Sequence, residues 1–427
     1  MPEQVCRLSA IGPGRLGRRR CMDFELSAPE AALVERARAL AAEFATRARE
    51  YDEAAAFPAR NFEQLREAGL LRLTVPTELG GHGLWRDDRF VLFYTILETI
   101  AAGCASTAQL LQVHSHASGI VGYLGNEEQR RRILGEVVER GALIASCGSE
   151  VDPTQIAQAA EQKSGLRPAE GGFRLTAVKH FASLAPAADF FVVYVMAPGA
   201  QTMAEGYVTV VVPKDSPGVS FVNEWDTMGM RPTISWALKL DDVFVPWPNV
   251  LGQPGDWVQH DPRTFTLAYV ANHLGTAQGV FDFVLNYLKT RPHLTRDDVI
   301  AYTVGEMDAA LQATRASMWY AARLWEQGRY DEAELASMRA LHTSKQTALM
   351  VTTRAFDVVG SRGAFRHLPL ERALRDVRTF SLHFRESQLL RLLADADLGA
   401  PFHSKQKYGP RLGRQSWEKL LSPALGR

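Results

Sequence analysis

The chain has 427 residues, too many for one small domain and enough to bury a large apolar core in two or three packed layers. Its 48 lysines and arginines balance 48 aspartates and glutamates, so no net positive field exists to gather nucleic acid. The four cysteines, Cys6, Cys21, Cys104 and Cys147, form no C-x-x-C pair, which speaks against a zinc site or a disulfide framework and fits a reducing cytoplasm. No apolar run reaches the roughly 18 residues of a membrane span, and Arg18-Arg19-Arg20 leads into no signal-peptide core.

In chain order, residues 1–21 are rich in Gly and Arg and lack periodicity; they read as a disordered extension or as sequence ahead of a start at Met22. Ser27-Ala-Pro-Glu30 is a capping box, after which Leu33, Ala37, Leu40, Phe44 and Ala48 recur at helical spacing. Further helical patterns cover Phe62–Ala68, Phe90–Ala102 and Leu110–Leu124, so residues 22–142 read as a helical N-terminal domain. From 143 to 262 the pattern changes. Phe173–Val178, Phe190–Met196, Tyr207–Val212 and Trp236–Leu240 are short, β-branched and aromatic, and separated by Gly, Pro and Asp, which predicts a central β-domain. Long amphipathic patterns return over Thr264–Lys289, Val299–Gln327, Glu332–Val359 and Leu382–Leu398, making 263–400 a C-terminal helical bundle. Gly275 and Gly279, one turn apart, predict the close approach of another helix. Residues 401–427 are a basic, polar tail, either loose or strapped over a subunit interface. The fold class is α+β.

Several motifs fall along this framework. Leu65-Arg-Glu-Ala-Gly-Leu-Leu71 precedes Val75-Pro-Thr-Glu-Leu-Gly-Gly81; Gly172-Phe-Arg-Leu-Thr-Ala-Val-Lys-His-Phe-Ala-Ser183 lies mid-chain; Val359-Gly-Ser-Arg-Gly363 precedes Pro369, Glu371-Arg372 and Arg375-Asp376. In this order they resemble the acyl-CoA dehydrogenase superfamily from about Met22 to Gly399. The resemblance implies an N-terminal helical domain, a central β-barrel-like domain and a C-terminal four-helix bundle, assembled as a homotetramer or at least a dimer around a flavin.

A flavin needs a donor near N5, polar groups on its pyrimidine edge and cations or backbone donors at its phosphate. The resemblance implies Ser183 on the N5 side, Phe181 stacked on the ring, and Ser149, in Ser146-Cys-Gly-Ser-Glu150, on the pyrimidine edge. For each serine the plain alternative is a turn hydroxyl bonded to its own backbone. Tyr287-Leu-Lys-Thr-Arg291 resembles the segment whose arginine reaches a neighbouring subunit's cofactor phosphates, although Pro292-His293 replaces the usual Phe-Gly. Arg291 as a solvated helix-end cation is the alternative. Family members that bind FAD carry a glutamine and Gly-Gly-x-Gly where this chain has Asp357 and Gly360-Ser-Arg-Gly363. A carboxylate repels a pyrophosphate, whereas Arg362 can fork onto a terminal phosphate, so Gly360, Arg362 and Gly363 point to FMN rather than FAD.

An acyl-CoA dehydrogenase must remove the α-proton of a thioester, which takes a carboxylate. The family usually places that glutamate nine residues after the Arg of the Arg-Asp pair, and from Arg375 the count gives Phe384. The position used by a minority falls at Phe265 or its neighbours Thr264 and Thr266, again without an acid. Glu386, two residues beyond Phe384, is expected to point away, because two helical residues turn about 200°. Arg378-Thr-Phe-Ser-Leu-His383 instead resembles the Arg-Thr-x-Thr-Leu-His segment of the oxygen-using branch, the two-component flavin monooxygenases of the dibenzothiophene monooxygenase kind. That likeness implies His383 as a base and His114, in Leu111-Gln-Val-His114, as a contact to a flavin C4a-hydroperoxide, which Ser183 also bonds. Either histidine also reads as a packed core residue, and His116 competes for the place of His114. The branch's usual His-Asp-Pro is here His383-Phe-Arg385, which leaves the substrate open.

The leading reading is therefore a reduced-flavin monooxygenase that takes a small organic substrate, O2 and reduced flavin from a separate flavin reductase. An acyl-CoA dehydrogenase with a displaced base and a non-catalytic binding member are the alternatives. No metal, membrane or nucleic-acid partner is expected.

Overall fold

The structure, a computed structural model, describes residues 26–150, 165–259, 266–404 and 410–424. The stretch read as an extension (1–21), Thr264 and Phe265 lie outside the described residues. Among the described residues five α-helices come first: α1 (Ala28–Ala54), α2 (Ala59–Glu67), α3 (Phe90–Gly103), α4 (Ala105–Leu124) and α5 (Glu127–Arg140). The capping box starts α1 as expected, with the Ser27 N–H donating to Glu30 Oε2 at 2.8 Å, and Leu33, Ala37, Phe44 and Ala48 form its buried stripe. Both α3 and α4 are buried on nearly all sides; α3 is mostly apolar, whereas α4 also buries polar residues such as Gln109, Gln112, His114 and His116.

Among the described residues eight strands follow: β1 (Ile144–Cys147), β2 (Gly165–Ala169), β3 (Gly172–Ala182), β4 (Phe190–Met196), β5 (Tyr207–Pro213), β6 (Val219–Val222), β7 (Trp236–Pro246) and β8 (Val250–Leu251). They pair in two four-stranded sheets, β1-β4-β5-β8 and β2-β3-β7-β6, antiparallel except for β1 beside β4. Aromatic contacts such as Phe191 on Phe221, with centroids 5.8 Å apart, join the two sheets. The β3–β7 register shifts between Lys179 and Ala182, a bulge that re-aims the side chains at the end of β3.

The C-terminal part contains α6 (Thr266–Lys289), α7 (Asp298–Glu326), α8 (Tyr330–Val359), α9 (Leu370–Phe380) and α10 (Glu386–Asp397). A Cβ on Gly275 would lie 2.1 Å from the Glu98 carbonyl oxygen, and one on Gly279 2.2 Å from that of Ala102, so α3 packs against α6 only because both are glycine. The same contact holds a buried ion pair: Arg315 of α7 binds Glu98 of α3 at 2.7 Å and also donates to Gln278 of α6. Beyond the bundle, α11 (Trp417–Ala424) docks the tail on the β-sheets through Trp417, whose ring lies 5.0 Å from Phe173.

The helix expected over Leu382–Leu398 is broken at its start. Ser381 turns its hydroxyl back to the Arg378 carbonyl at 2.8 Å and takes the Arg378 guanidinium at 3.2 Å. Such side-chain bonding competes with the helical ladder, and the chain bends until α10 begins at Glu386. Among the described residues, no helix is long and apolar enough to cross a membrane.

Candidate active site

The candidate site residues fall into three groups. The first lies at the bulged end of β3. Phe181 has a left-handed backbone (φ 54°), is 64% exposed, and meets Trp225 edge-on at 6.1 Å. A bulky residue in that conformation, with its ring uncovered, is strained locally and offers an aromatic face to a ligand. Ser149 is brought alongside: its carbonyl accepts from the His180 N–H at 2.9 Å, while Lys179, buried at the sheet, binds Glu150. Ser183 Oγ is 2.7 Å from Ser235 Oγ, which is 2.7 Å from Thr233 Oγ1; Thr233 donates to the Met230 carbonyl at 2.8 Å. Each hydroxyl has one hydrogen, so the donations run Ser183 to Ser235 to Thr233 to Met230. Ser183 is thereby left as an acceptor, not the donor that the resemblance implied.

This hydroxyl chain is anchored to the helices. The Met230 N–H donates to Asp376 at 2.6 Å, and Arg375 holds the Met228 carbonyl at 2.6 Å together with Asp52 and Glu371. The Arg375-Asp376 pair thus clasps α9 to α1 and to the loop before β7. Ser235, Thr233 and Trp225 went unnoticed in the sequence because their partners are distant along the chain.

The second group is at the far end of α6. The Arg291 guanidinium lies 3.6 Å over the Tyr287 ring and donates to the Tyr287 carbonyl; the Tyr287 hydroxyl reaches the Val359 carbonyl at 3.5 Å. Tyr287, on which Arg291 stacks, is thereby tied to the residue that precedes the Gly360–Ala364 turn. Gly360 has φ 72° with open space where a side chain would be, Gly363 packs on Phe356 and Leu370, and Arg362 is exposed. Asp357 is not a bare carboxylate: Arg354 holds it at 3.1 Å.

The third group surrounds the bend after α9. His383 is exposed, not packed in the core, and its Nε2 is hydrogen-bonded to the hydroxyl of Tyr269, with the rings 4.2 Å apart. Tyr269 also packs on Phe380 and on Phe384, each at 5.0 Å. Because the chain is bent rather than helical here, Glu386 does not point away. It lines the same cavity as Phe384, with Lys345 at 2.9 Å and His342 at 2.8 Å. Hydrogen bonds from Lys345, chiefly, and from His342 hold this carboxyl below the usual range. Tyr269 and His273, four residues apart and so on one face of α6, are the spacing signal that could have disclosed this wall.

His114 has a different use from the one implied. It is fully buried, Nε2 donates to the Leu71 carbonyl at 2.7 Å, and Nδ1 accepts the Ile144 N–H at 3.1 Å, so neither nitrogen remains for a ligand. Burial lowers its pKa to about 4. The unfolded chain takes up the proton near 6.5 and the folded chain resists it, so stability present above pH 6.5 is lost as pH falls toward 4. The contribution is roughly 3 kcal/mol. Urea unfolding at pH 7.5 and pH 4.5 is expected to show a smaller acid loss for His114→Gln than for the unaltered protein; an identical loss contradicts the assignment.

The first two groups fit a flavin: an uncovered aromatic face with a hydroxyl chain beside it, and a phosphate turn with two arginines. A sheet domain between helical domains carrying these groups defines an acyl-CoA dehydrogenase-like flavoprotein. Family profiles described as the acyl-CoA dehydrogenase N-terminal, middle and C-terminal domains match residues 27–140, 147–243 and 267–388, and the chain belongs to that family. It is 28% identical over 381 residues to a dibenzothiophene monooxygenase of Mycolicibacterium goodii, spanning 82% of this chain and 89% of that protein. With the human mitochondrial short-chain specific acyl-CoA dehydrogenase it is 26% identical over 367 residues, spanning 84% and 86%. The fold is shared with FMN-bound TdsC from Paenibacillus sp. A11-2, at a TM-score of 0.79 and 23% identity over 88% of this chain and all of that one.

Proposed function

We propose that the protein is the oxygenase of a two-component flavin monooxygenase, using reduced FMN from a separate reductase and O2 to oxygenate a small organic substrate. The observation that carries this is the bend after α9, where Phe384 occupies the base position, Glu386 is held by Lys345 and His342, and the His383 imidazole is hydrogen-bonded to the Tyr269 hydroxyl. When bound, the reduced flavin supplies the electron pair that activates oxygen. Phe181 gives the ring a stacking face. Ser183, an acceptor by the direction of its hydroxyl chain, matches a flavin carrying hydrogen at N5, the form a reductase delivers. His383 takes or orients the substrate proton, its ring fixed by the Tyr269 hydroxyl and packed against Tyr269 and Phe384. Turnover with a flavin reductase under ¹⁸O₂ is expected to put one labelled oxygen in the product; unlabelled product overturns the reading.

FMN, rather than FAD, is favoured by the exposed Arg362 in the Gly360 turn, by the half-buried Arg291 on Tyr287, and by the FMN in the TdsC structure. Flavin released by acid from the purified protein is expected to co-elute with FMN, and stoichiometric FAD contradicts this. The phosphate turn and the ring-binding end of β3 belong to different parts of the fold. A homotetramer in which Arg291 of one copy serves the flavin of another accounts for the separation, and the exposed Tyr302, Tyr320 and Phe365 provide apolar surface for contact between copies.

A further inference from the structure

The hydroxyl chain beside Phe181 has a fixed direction, and the Met230 carbonyl sets it. A carbonyl oxygen only accepts, and this one takes Thr233 Oγ1 at 2.8 Å, the Thr233 N–H at 3.0 Å and Trp225 Nε1 at 3.1 Å. The same peptide is pinned from its other side, where the Met230 N–H donates to Asp376 at 2.6 Å. With the Thr233 hydrogen spent on the carbonyl, Ser235 must donate to Thr233, and Ser183 to Ser235. Ser183 is half-buried, whereas Ser235 and Thr233 are 3% and 1% exposed and so removed from the water that could reverse the chain. The outer end, Ser183, is left to meet a ligand, and it meets one as an acceptor.

The segment that carries this chain is strained. Met230 (φ 55°) and the β-branched Ile234 (φ 40°) both have left-handed backbone. Non-glycine residues persist there only where their surroundings hold them, and such strain gathers at sites that use a fixed geometry. Trp225, a donor to the Met230 carbonyl, also meets Phe181 edge-on, so one side chain ties the ring face to the chain.

We propose that Thr233 and Ser235 are positioning residues that lock the Ser183 hydroxyl as an acceptor, and that this lock makes the site bind reduced flavin in preference to oxidised flavin. The inference rests on the proposed flavin site, with Ser183 beside N5 of the ring. Oxidised flavin presents a lone pair at N5, which the locked Ser183 cannot meet; reduced flavin presents an N–H, which it accepts. One hydrogen bond made against one unmet is worth about tenfold in affinity. Tenfold tighter binding of the reduced form raises the midpoint potential of the bound two-electron couple by about 30 mV.

Anaerobic titration of the FMN-loaded protein against a redox dye of known potential tests this. Thr233→Val, close in shape but without a hydroxyl, lets Ser235 turn its hydrogen to Ser183 and frees the Ser183 hydrogen for N5; Ser235→Ala frees it directly. Each is expected to lower the potential by about 30 mV, whereas Thr233→Ser keeps the donor and the unaltered potential. A change that only loosens the loop weakens both flavin forms alike and leaves the potential where it was. The Thr233→Val and Thr233→Ser pair decides the matter should Ser235→Ala fail to fold. A potential left unmoved by Thr233→Val or by folded Ser235→Ala, one lowered as far by Thr233→Ser as by Thr233→Val, or an unaltered protein that holds no FMN overturns the proposal. The titration requires neither reductase nor substrate. A lowered potential in the variants without ¹⁸O in any product would sink the oxygenase reading alone, and labelled product with unmoved potentials would sink this inference alone.

Discussion

Straight-chain acyl-CoA thioesters are expected to leave the visible absorbance of the oxidised, flavin-loaded protein unchanged in an anaerobic mixing experiment. Hydride loss from the β-carbon is coupled to loss of the α-proton, and a carboxylate must take it at the reacting carbon. At the family's usual position stands Phe384, whose ring packs edge-on against Tyr269 and accepts no proton. Among the described residues, Glu386 is the carboxylate that lines the same cavity and could substitute. Its oxygens, however, are engaged by Lys345, His342 and Gln346, and these bonds depress its basicity. A base stabilised as its anion has little drive to take a carbon-bound proton. Rapid stoichiometric bleaching by any acyl-CoA overturns this result and makes Glu386 the first residue to replace.

His383→Ala is expected to retain flavin and to lower product formation by about 10²–10⁴-fold, the range for a lost general base. Retention follows from its position: His383 contacts Tyr269, Phe380 and Phe384, whereas the flavin-ring group gathers on β3 and the loop before β7. Tyr269→Phe keeps the aromatic wall and removes only the hydroxyl that fixes the imidazole, so its loss is smaller, roughly tenfold. The pair of variants separates chemistry from packing. A His383→Ala protein that turns over at the unaltered rate removes this residue from the mechanism; one that loses flavin reassigns it to cofactor binding.

Much of this architecture is legible along the chain. Helical spacing in α1, the β-branched runs of β4 and β5, and the Gly275 and Gly279 pair set local conformation and contact distance through backbone sterics and the burial of one face. The absence of a carboxylate at 384 is equally a fact of sequence, because no fold changes a side chain's chemistry. Fold alone decides which partners each polar atom meets. His114 is consumed by Leu71 and Ile144, 43 and 30 residues away. Ser183 is turned into an acceptor by a hydroxyl chain ending on Met230, 47 positions further on. Glu386 faces the cavity because Ser381 breaks a helix whose periodicity ran unbroken. Periodicity constrains neighbours within about one turn, whereas hydrogen bonds between distant segments are set only once packing brings those segments together.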